Sequence, residues 1–377
     1  MAFSTASAHA QCRGACDSSA LIWAKSTSSD VPLFRVVKDG KVGYIDATGK
    51  VVIPHGFDLT FNYDWDFLDG VAPVQIGRKW GYIDSAGSFV IPPLFEWVRP
   101  FSEGRALVRL GSGGPPYRIG FIAKDGKFIS ELNINGGAES FSEGFAAVEL
   151  PGRKWAYIDK AGNVALPQRF AWARRFSHGM ALVIEKGGCE VLESGCDCMD
   201  IPADRFEPTR PTEPLPPCRF SFINKTGKTV LTGYQNAQEF SEGVAGARRS
   251  NLWGFIGRDG SQVIAERFDA VKPFRDGLAA VQIDGKWGFI DHGGEIIIKP
   301  QFSYTEGFSE GIGLVFQDQW FKFIDKTGRQ LFGQTFFWVA APFASGLAHV
   351  GLLPRTAGRW AYIDHEGTVV YEYTARQ

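Results

Sequence analysis

The sequence has no long hydrophobic run and no excess of charge of either sign. None of its apolar stretches approaches the ~20 residues that a membrane-spanning helix needs. Lys and Arg together number 40 and Asp and Glu number 41, which gives a formal net charge of −1. A chain with this balance has no overall electrostatic attraction for nucleic acid. We therefore expect neither a membrane span nor a nucleic-acid partner.

Recognisable catalytic signatures are also absent from the sequence. It contains no P-loop, no G-x-S-x-G nucleophile motif and no dinucleotide-binding fingerprint. Its six histidines do not have the spacing of a metal site. The acidic residues recur at fixed repeat positions, whereas a catalytic carboxylate pair would be a singular departure from a repeat. We predict that the carboxylates cap turns and loops, and that the protein is not an enzyme and uses no cofactor or metal.

Cysteine is scarce and is confined to two irregular segments. The six cysteines are Cys12, Cys16, Cys189, Cys196, Cys198 and Cys218. An even number outside the regular part of a chain is typical of disulfides in an oxidising compartment. The spacing also lacks the paired knuckles of a zinc site. Sequence does not determine the pairing; we favour Cys12–Cys16 and a bridge to Cys218.

The first residues have some features of a secretory signal. Small residues surround Ala8-His9-Ala10, which resembles a signal-peptidase cleavage site, although the usual charged and apolar regions before it are absent. We interpret residues 1–32 as an N-terminal segment that contains a candidate signal-peptide remnant and the first cysteine pair. The expected location is periplasmic or extracellular, and a cytoplasmic location is the alternative.

A short repeated string dominates the rest of the chain. "DGKWGFID" stands at residues 284–291, and relatives of it recur along the sequence. Nine residues occupy the position of its second glycine: Gly43, Gly81, Gly120, Ala156, Ser221, Gly254, Gly288, Lys322 and Ala361. A second signature, "FSEG" or a variant, lies between successive copies. One interval is longer than the others and carries an insert, residues 186–219.

Each unit predicts a three-stranded antiparallel meander. In residues 278–300, the runs "LAAVQI" and "KWGFI" are joined by Asp284-Gly285, a pair favoured in two-residue hairpins. A second tight turn, "DHGG", leads to "EIIIK", and Pro300 ends that strand. The small residue between the two aromatic positions predicts that a neighbouring backbone or ring approaches closely. A unit of ~35 residues needs its neighbours for a core, so the units must stack.

These features predict an all-β fold, a tandem array of about nine three-stranded antiparallel repeats of roughly 34–39 residues. We favour an open, curved, solenoid-like array, because nine units exceed the usual blade number of a propeller and both ends contain whole meanders. A propeller-like ring is the alternative. Residues 33–185 hold repeats one to four and residues 220–377 hold repeats five to nine. The cysteine- and proline-rich insert lies between them.

The pattern resembles that of the WG-repeat proteins, a bacterial β-repeat family. "KWGFID", the glycine turn, the apolar strand with proline, "PFSEG" and "LAAV" carry the resemblance, which extends over residues 36–373 apart from the insert. It is eroded at Ile119, Phe220, Phe321 and Lys322, where we expect distorted units. The resemblance implies a β-repeat scaffold, often in envelope or surface proteins, and it transfers no catalytic residues.

Departures from the repeat indicate candidate ligand-binding residues. Large aromatic side chains stand in the connectors or in an unusual aromatic-acidic stretch: Trp97, Trp172, Tyr304, Trp338 and Trp65. Exposed rings of this kind could form a stacking stripe for sugar or peptide, and the alternative is that they fill the core. The insert is either a binding loop or a spacer.

The sequence therefore favours a non-enzymatic, exported scaffold that binds a cell-envelope ligand, either a protein or a polysaccharide. One alternative is a hydrolase that acts on an envelope polymer through acidic residues in loops outside the repeat. Another is a purely structural spacer. The sequence does not indicate the oligomeric state.

Overall fold

The computed structural model describes residues 32–60, 66–111, 118–132, 137–185, 219–333 and 337–374. Within these ranges the chain forms nine small antiparallel sheets of three or four strands. They follow one another along the chain as the repeats do, and we call them blades 1 to 9. The all-β prediction and the number of repeats are confirmed.

The strands follow one another in chain order through the blades. Blades 1 to 3 contain β1 (Phe34–Lys38), β2 (Lys41–Ile45) and β3 (Val51–Asp58); β4 (Val71–Ile76), β5 (Lys79–Asp84) and β6 (Phe89–Phe95); β7 (Trp97–Val98), β8 (Arg105–Leu110), β9 (Arg118–Ala123) and β10 (Phe128–Leu132). Blades 4 to 6 contain β11 (Phe145–Leu150), β12 (Lys154–Asp159) and β13 (Val164–Phe170); β14 (Trp172–Ser177), β15 (Met180–Ile184), β16 (Phe220–Asn224) and β17 (Thr229–Tyr234); β18 (Asn236–Ala237), β19 (Val244–Arg248), β20 (Trp253–Gly257) and β21 (Gln262–Phe268). Blades 7 to 9 contain β22 (Ala270–Val271), β23 (Ala279–Ile283), β24 (Lys286–Ile290) and β25 (Ile296–Phe302); β26 (Tyr304–Ser309), β27 (Ile312–Gln317) and β28 (Trp320–Ile324); β29 (Val339–Ala340), β30 (Ala348–Gly351), β31 (Arg359–Ile363) and β32 (Val369–Thr374), with a short 3-10 turn, Arg355–Ala357, before β31.

Blade 7 shows the plan of a complete blade. Its four strands lie side by side in the order β22, β23, β24, β25. The second and third strands pair without interruption from Ala279–Ile290 to Ile283–Lys286. Asp284 and Gly285 join them with φ angles of 50° and 73°, as a type I′ hairpin requires. The predicted hairpin is confirmed, and a short first strand precedes the predicted meander.

The small residue of the WG string lies where the fourth strand bulges over the third. In blade 7, Trp287 pairs with Phe302 and Phe289 pairs with Ile298. The paired positions are two residues apart on β24 and four residues apart on β25, so β25 carries two extra residues at this point. A Cβ atom on Gly288 would lie 2.5 Å from the Ile298 carbonyl oxygen, closer than real side chains approach. The predicted close approach of backbone is confirmed, and the backbone belongs to the next strand of the same blade.

Blade 8 lacks this small residue and lacks a fourth strand. Lys322 occupies the position, and its ammonium lies 3.0 Å from the Asp318 carboxylate. Among the described residues, the chain beyond it pairs with β28 only through two isolated bridges, Ile324–Gln330 and Phe321–Phe337. The regular pairing of a fourth strand is lost in this unit, so the distortion expected there is confirmed. The units with Ile119 and Phe220 belong to four-stranded blades, but their fourth strands pair differently from that of blade 7. Gly120 pairs directly with Glu131, and the paired residues Leu231 and Tyr234 are only three positions apart, so the distortion expected in these units is observed as a change of register.

The nine blades close into a ring. Between most neighbours, the glycine of the turn after the third strand packs against the fourth strand of the preceding blade, as Gly294 does against Ile264. Gly49 of blade 1 packs in the same way against Val370 of blade 9. The Tyr362 hydroxyl of blade 9 also donates a 2.7 Å hydrogen bond to a backbone carbonyl oxygen of β1. The fold is therefore a nine-bladed propeller.

The open array that we favoured from the sequence is wrong, and the ring given as the alternative is correct. Whole meanders at both ends of the chain were read as a sign of an open array. They are compatible with a ring because blades 9 and 1 close it by packing side to side, as every other pair of blades does. No blade has to be shared between the two termini.

The core is divided among the interfaces between blades. The second aromatic of the WG string packs edge-to-face on the FSEG phenylalanine of the next blade, as Phe289 does on Phe308 with ring centroids 4.9 Å apart. The fourth strands form the outer rim, where Ile296 and Ile297 are 47% and 44% exposed. The short first strands lie at the opposite edge of each sheet and therefore surround the axis of the ring.

Candidate functional site

The ring has two different faces. The FSEG turns and the turns between third and fourth strands lie on one side, which we call the latch face. The hairpins between second and third strands and the connectors between blades lie on the other side, which we call the loop face. This division follows because consecutive strands are antiparallel, so their turns alternate between the two ends of the sheet. The ends of β15 and β16 that flank the insert lie on the loop face, and residues 186–218 of the insert lie outside the described residues.

A chain of hydrogen bonds joins the blades on the latch face. In five interfaces of the described structure, the FSEG serine donates to the carbonyl oxygen of the phenylalanine in the next FSEG turn. The donors are Ser102, Ser142, Ser177, Ser241 and Ser309, with distances of 2.7–2.9 Å. The acid beside the serine accepts from the next turn as well: Glu310 binds the backbone N–H groups of Ser345 and Gly346 at 2.6 and 2.9 Å.

The same acids also pair with a lysine or histidine side chain from the neighbouring blade. Four such pairs have N–O distances of 3.0–3.1 Å: Lys160–Glu103, Lys225–Glu143, His292–Glu242 and His365–Glu310. The pKa of Glu103 is lowered, because hydrogen bonds from Lys160 and two backbone amides outweigh the opposing effect of burial. These recurring carboxylates hold adjacent blades together.

The recurring aspartates cap the turn that follows the third strand. The Asp46 carboxylate accepts from the backbone N–H groups of Thr48 and Lys50 at 2.9 and 3.1 Å, and equivalent contacts recur in other blades. Where Ala123 and Gly257 take the aspartate position, an acid two residues later caps the turn instead. The predicted capping role of the carboxylates agrees with this geometry.

The structure should lose stability in acid because of these caps. Hydrogen bonds, first from the Thr327 hydroxyl, lower the pKa of Asp325 to about 2, and the pKa values of Asp46, Asp159 and Asp259 are lowered as well. A carboxyl with a depressed folded pKa stabilises the fold above its unfolded pKa, and this contribution is lost as pH falls through the folded pKa. We expect the thermal midpoint to fall between about pH 5 and about pH 2. Melting followed by circular dichroism would show this, and Asp325→Asn should flatten the dependence; a midpoint independent of pH would contradict it.

Four of the five aromatic candidates lie at the loop-face ends of first strands. Trp97, Trp172 and Tyr304 begin β7, β14 and β26. Trp338 precedes β29 by one residue, in the position that Glu96 has in blade 3. Trp65 lies outside the described residues. All six cysteines also lie outside them, so the disulfides stay a prediction.

A cation covers one face of each of these four aromatic rings. The charged groups lie 4.7–5.6 Å from the ring centroids, in the pairs Arg99–Trp97, Arg174–Trp172, Lys272–Tyr304 and Arg355–Trp338. Trp97 is buried, with 8% of its surface exposed, and the others are half-buried. A covered ring face is not open to a sugar, so the geometry weighs against the stacking stripe, which stays a prediction.

The segments at the inner edges of blades 3 to 5 bring charges of opposite sign together. Glu139 of blade 4 lies between Arg99 and Arg174, with N–O distances of 3.9 and 3.6 Å. Tyrosine hydroxyls of the preceding blades donate 2.7 Å hydrogen bonds to the carbonyl oxygens of both arginines. We call Trp97, Arg99, Glu139, Trp172 and Arg174 the inner charge cluster. Sequence reasoning missed Glu139, although aligning "GAESF" with "WVRPF" shows that Glu139 occupies the repeat position that Arg99 has in blade 3.

The described residues offer little space or coordination for a small ligand. They contain no group of three or more His, Cys, Asp or Glu side chains that could hold a metal ion. A cavity of about 10 Å³ between blades 1 and 2, lined by Arg35, Tyr44 and Trp80, has room for one water at most. Across the same part of the chain, no helix is long and apolar enough to cross a membrane.

Sequence comparison identifies the repeat. A family model described as the WG containing repeat matches residues 43–80, 80–112, 119–155, 155–189, 220–253, 253–287 and 287–319. The chain belongs to the WG-repeat family. The matches to this WG-repeat protein end before Lys322, where blade 8 loses its small residue. A search of curated proteins finds no match.

Solved structures of low sequence identity resemble this WG-repeat protein over most of its length. The designed protein Ika8 is 12% identical over 82% of this chain and 94% of its own, with a TM-score of 0.43. BamB from Moraxella catarrhalis is 12% identical over 74% of this chain and 88% of its own, with a TM-score of 0.41. These values carry no argument about function.

Proposed function

We propose that this WG-repeat protein is a non-enzymatic scaffold that binds a protein partner through its loop face. The difference between the two faces carries the proposal. On the latch face, the recurring serines and acids are occupied in joining the blades. On the loop face lie the aromatic residues with their cations, which depart from the repeat, and the two strand ends that flank the insert. Variable loops on a rigid framework are a common arrangement for binding.

A protein partner fits the loop face better than a polysaccharide does. Sugar rings stack on open aromatic faces, and one face of each described candidate ring is covered by Arg or Lys. A stacked guanidinium still presents N–H donors at its edge, and these suit the carboxylates and carbonyls of a polypeptide. The proposal includes export and an envelope partner. The sequence of the N-terminal segment and the positions of the cysteines support these two parts.

Matched charge reversals on the two faces test the proposal. Arg153→Glu with Lys286→Glu changes two exposed hairpin residues of the loop face, and Lys50→Glu with Lys228→Glu changes two exposed residues of the latch face. We expect the full chain to bind an envelope-protein fraction saturably. The loop-face variant should bind about tenfold more weakly, and the latch-face variant should bind as the wild type does.

Three outcomes would overturn the proposal. They are equal losses in both variants, saturable binding to the polysaccharide fraction alone, and no saturable binding to either fraction, as a structural spacer would show. Circular dichroism of each variant would establish that the fold is retained.

A further inference from the structure

The seam between blades 5 and 6 departs from the hydrogen-bond pattern of the latch face. At six other seams of the described structure, the acid of one FSEG turn accepts a hydrogen bond of 2.7–3.2 Å from the glycine N–H of the next turn: Asp69–Gly104, Glu103–Gly144, Glu143–Gly179, Glu242–Gly277, Asp276–Gly311 and Glu310–Gly346. In blade 5, His178 takes the position of the acid. The corresponding glycine of blade 6, Gly243, therefore has no carboxylate partner among the described residues.

The two turns at this seam otherwise keep the arrangement of the rest. The Ser177 hydroxyl donates to the Phe240 carbonyl oxygen at 2.9 Å, as the serines at the other seams do. His178 has a φ angle of 53°, and Glu143, which has its position in blade 4, has one of 54°. The Nδ1 atom of His178 lies 3.1 Å from the Ser177 hydroxyl of its own turn. The seam therefore differs from the others in the chemistry of one side chain, while the backbone of the turn is the same.

The turn of blade 6 presents two backbone N–H groups at this seam. The equivalent groups of Glu143 and Gly144 in blade 4 each bind one oxygen of the Glu103 carboxylate, at 2.6 and 2.9 Å. Glu242 and Gly243 of blade 6 are exposed, and their N–H groups donate to no group in the described part of the chain. Successive N–H groups in such a turn form a concave site for an anion. The geometry in blade 4 shows that their spacing suits the two oxygens of a carboxylate.

A cation also remains at this seam. Lys160 and Lys225 pair with the acid of the preceding blade, and Arg258 has their position in blade 6. A Cβ atom on Gly179 would lie 3.0 Å from a terminal nitrogen of Arg258, so the guanidinium lies against the turn that contains His178. Arg258 is exposed and forms no ion pair with a described residue. Its planar fork of N–H donors matches the geometry of a carboxylate.

The acids in the turns around this seam are engaged elsewhere. The Glu242 carboxylate extends to blade 7, where it pairs with His292 at 3.0 Å. Glu143 pairs with Lys225 at 3.0 Å, and the Asp259 carboxylate accepts from the N–H and hydroxyl groups of Ser261 in its own turn. The seam thus keeps two N–H donors and a cation, and no carboxylate of the described chain reaches them.

We propose that the seam between blades 5 and 6 binds the carboxylate of a small organic acid from solution. Its two oxygens accept hydrogen bonds from the N–H groups of Glu242 and Gly243, as those of Glu103 do in blade 4, and Arg258 supplies the opposite charge. The bound acid takes the place of the glutamate side chain of the other seams and joins blade 5 to blade 6. Because it binds only the folded ring, it stabilises the protein. This site lies on the latch face and is independent of the partner proposed for the loop face.

Titration of acetate into the full chain tests the inference, with chloride used to keep the ionic strength constant. The nuclear magnetic resonance signal of carbon-13-labelled acetate should broaden saturably as protein is added, which gives the Kd. At about ten times this Kd, acetate should raise the thermal midpoint by about 2 °C relative to chloride. Arg258→Gln should weaken acetate binding about fivefold or more, because a charge-assisted contact is lost.

His178→Glu is the decisive variant. It gives blade 5 the acid that the other seams have, and the φ angle at this position already suits glutamate. The new carboxylate should occupy the two N–H groups, so the thermal midpoint in chloride should rise by about 2 °C and acetate should have no further effect. His178→Gln removes the imidazole without adding a charge and provides the matched control, which should respond to acetate as the wild type does.

The reciprocal change at another seam gives a second test. Glu310→Ala removes the carboxylate that binds the N–H groups of Ser345 and Gly346 at 2.6 and 2.9 Å. This variant should lose stability in chloride, and acetate should restore part of the loss. Two results would overturn the inference: no saturable binding of acetate to the wild type, or an acetate response of His178→Glu equal to that of the wild type.

Discussion

Gly288→Val should lower the free energy of unfolding by more than about 3 kcal/mol, among the larger effects of a single substitution. The new Cβ atom would meet the Ile298 carbonyl oxygen at 2.5 Å and the Pro300 nitrogen at 2.6 Å. Both are backbone atoms of the bulge in β25, and they cannot move without breaking the pairing of that strand. Blade 7 would then lose its rim strand and part of its contact with blade 8. Denaturant unfolding followed by tryptophan fluorescence would measure the loss.

Lys322→Val provides the matched control for this prediction. Lys322 has the same position in blade 8, where the structure already accommodates a side chain longer than valine. We expect a change of no more than about 1 kcal/mol, as is usual for substitutions that create neither a cavity nor a clash. Equal losses in the two variants would show that the bulge is not what selects a small residue.

Gly49→Ala should destabilise the protein by about 2 kcal/mol more than Gly40→Ala, because only Gly49 lies in the seam that closes the ring. Both glycines have positive φ, 84° and 71°, so alanine costs about 1 kcal/mol at each through backbone strain alone. A Cβ atom on Gly49 would in addition meet the Val370 carbonyl oxygen of blade 9, whereas one on Gly40 would meet nothing within 4 Å. Thermal and denaturant unfolding of both variants would give the difference.

This comparison tests closure directly. The two substitutions lie in the same blade and share the same residue change and the same region of φ. In an open array, Gly49 would face solvent as Gly40 does, and the two variants would lose equal stability. Adding Val370→Gly to Gly49→Ala should not restore the lost stability, since the clash is with the Val370 backbone.

The repeat made the inside of each blade predictable. Asp284-Gly285 favours a type I′ hairpin, and Gly288 permits a close approach of backbone; both are local consequences of residue type. The short first strand was missed because two residues such as Ala270 and Val271 give no periodic signal. Closure was missed because it depends on the small angle between neighbouring blades, which adds up over nine units and leaves no trace in any one of them.

The candidate site was predictable only in part. The departures at Trp97 and Trp172 were visible because large aromatics replaced a small residue. Their covered faces were not visible, because the covering arginine is identified only when the strand direction is known. Glu139 was missed because glutamate in a connector is unremarkable until blades 3, 4 and 5 are seen to place it between two arginines.

Because the ring closes by side-to-side packing, its shape does not depend on which repeat comes first in the chain. The seam between blades 9 and 1 uses the same kind of glycine contact as most other interfaces, so closure of the ring needs no special contact between the first and last blades. A gene for such a protein could gain or lose one unit, or begin at a different unit, without needing a new closing element. The number of blades would then be set by how much each interface can change its angle. The interfaces between blades thus determine the number of blades, and the chain termini do not.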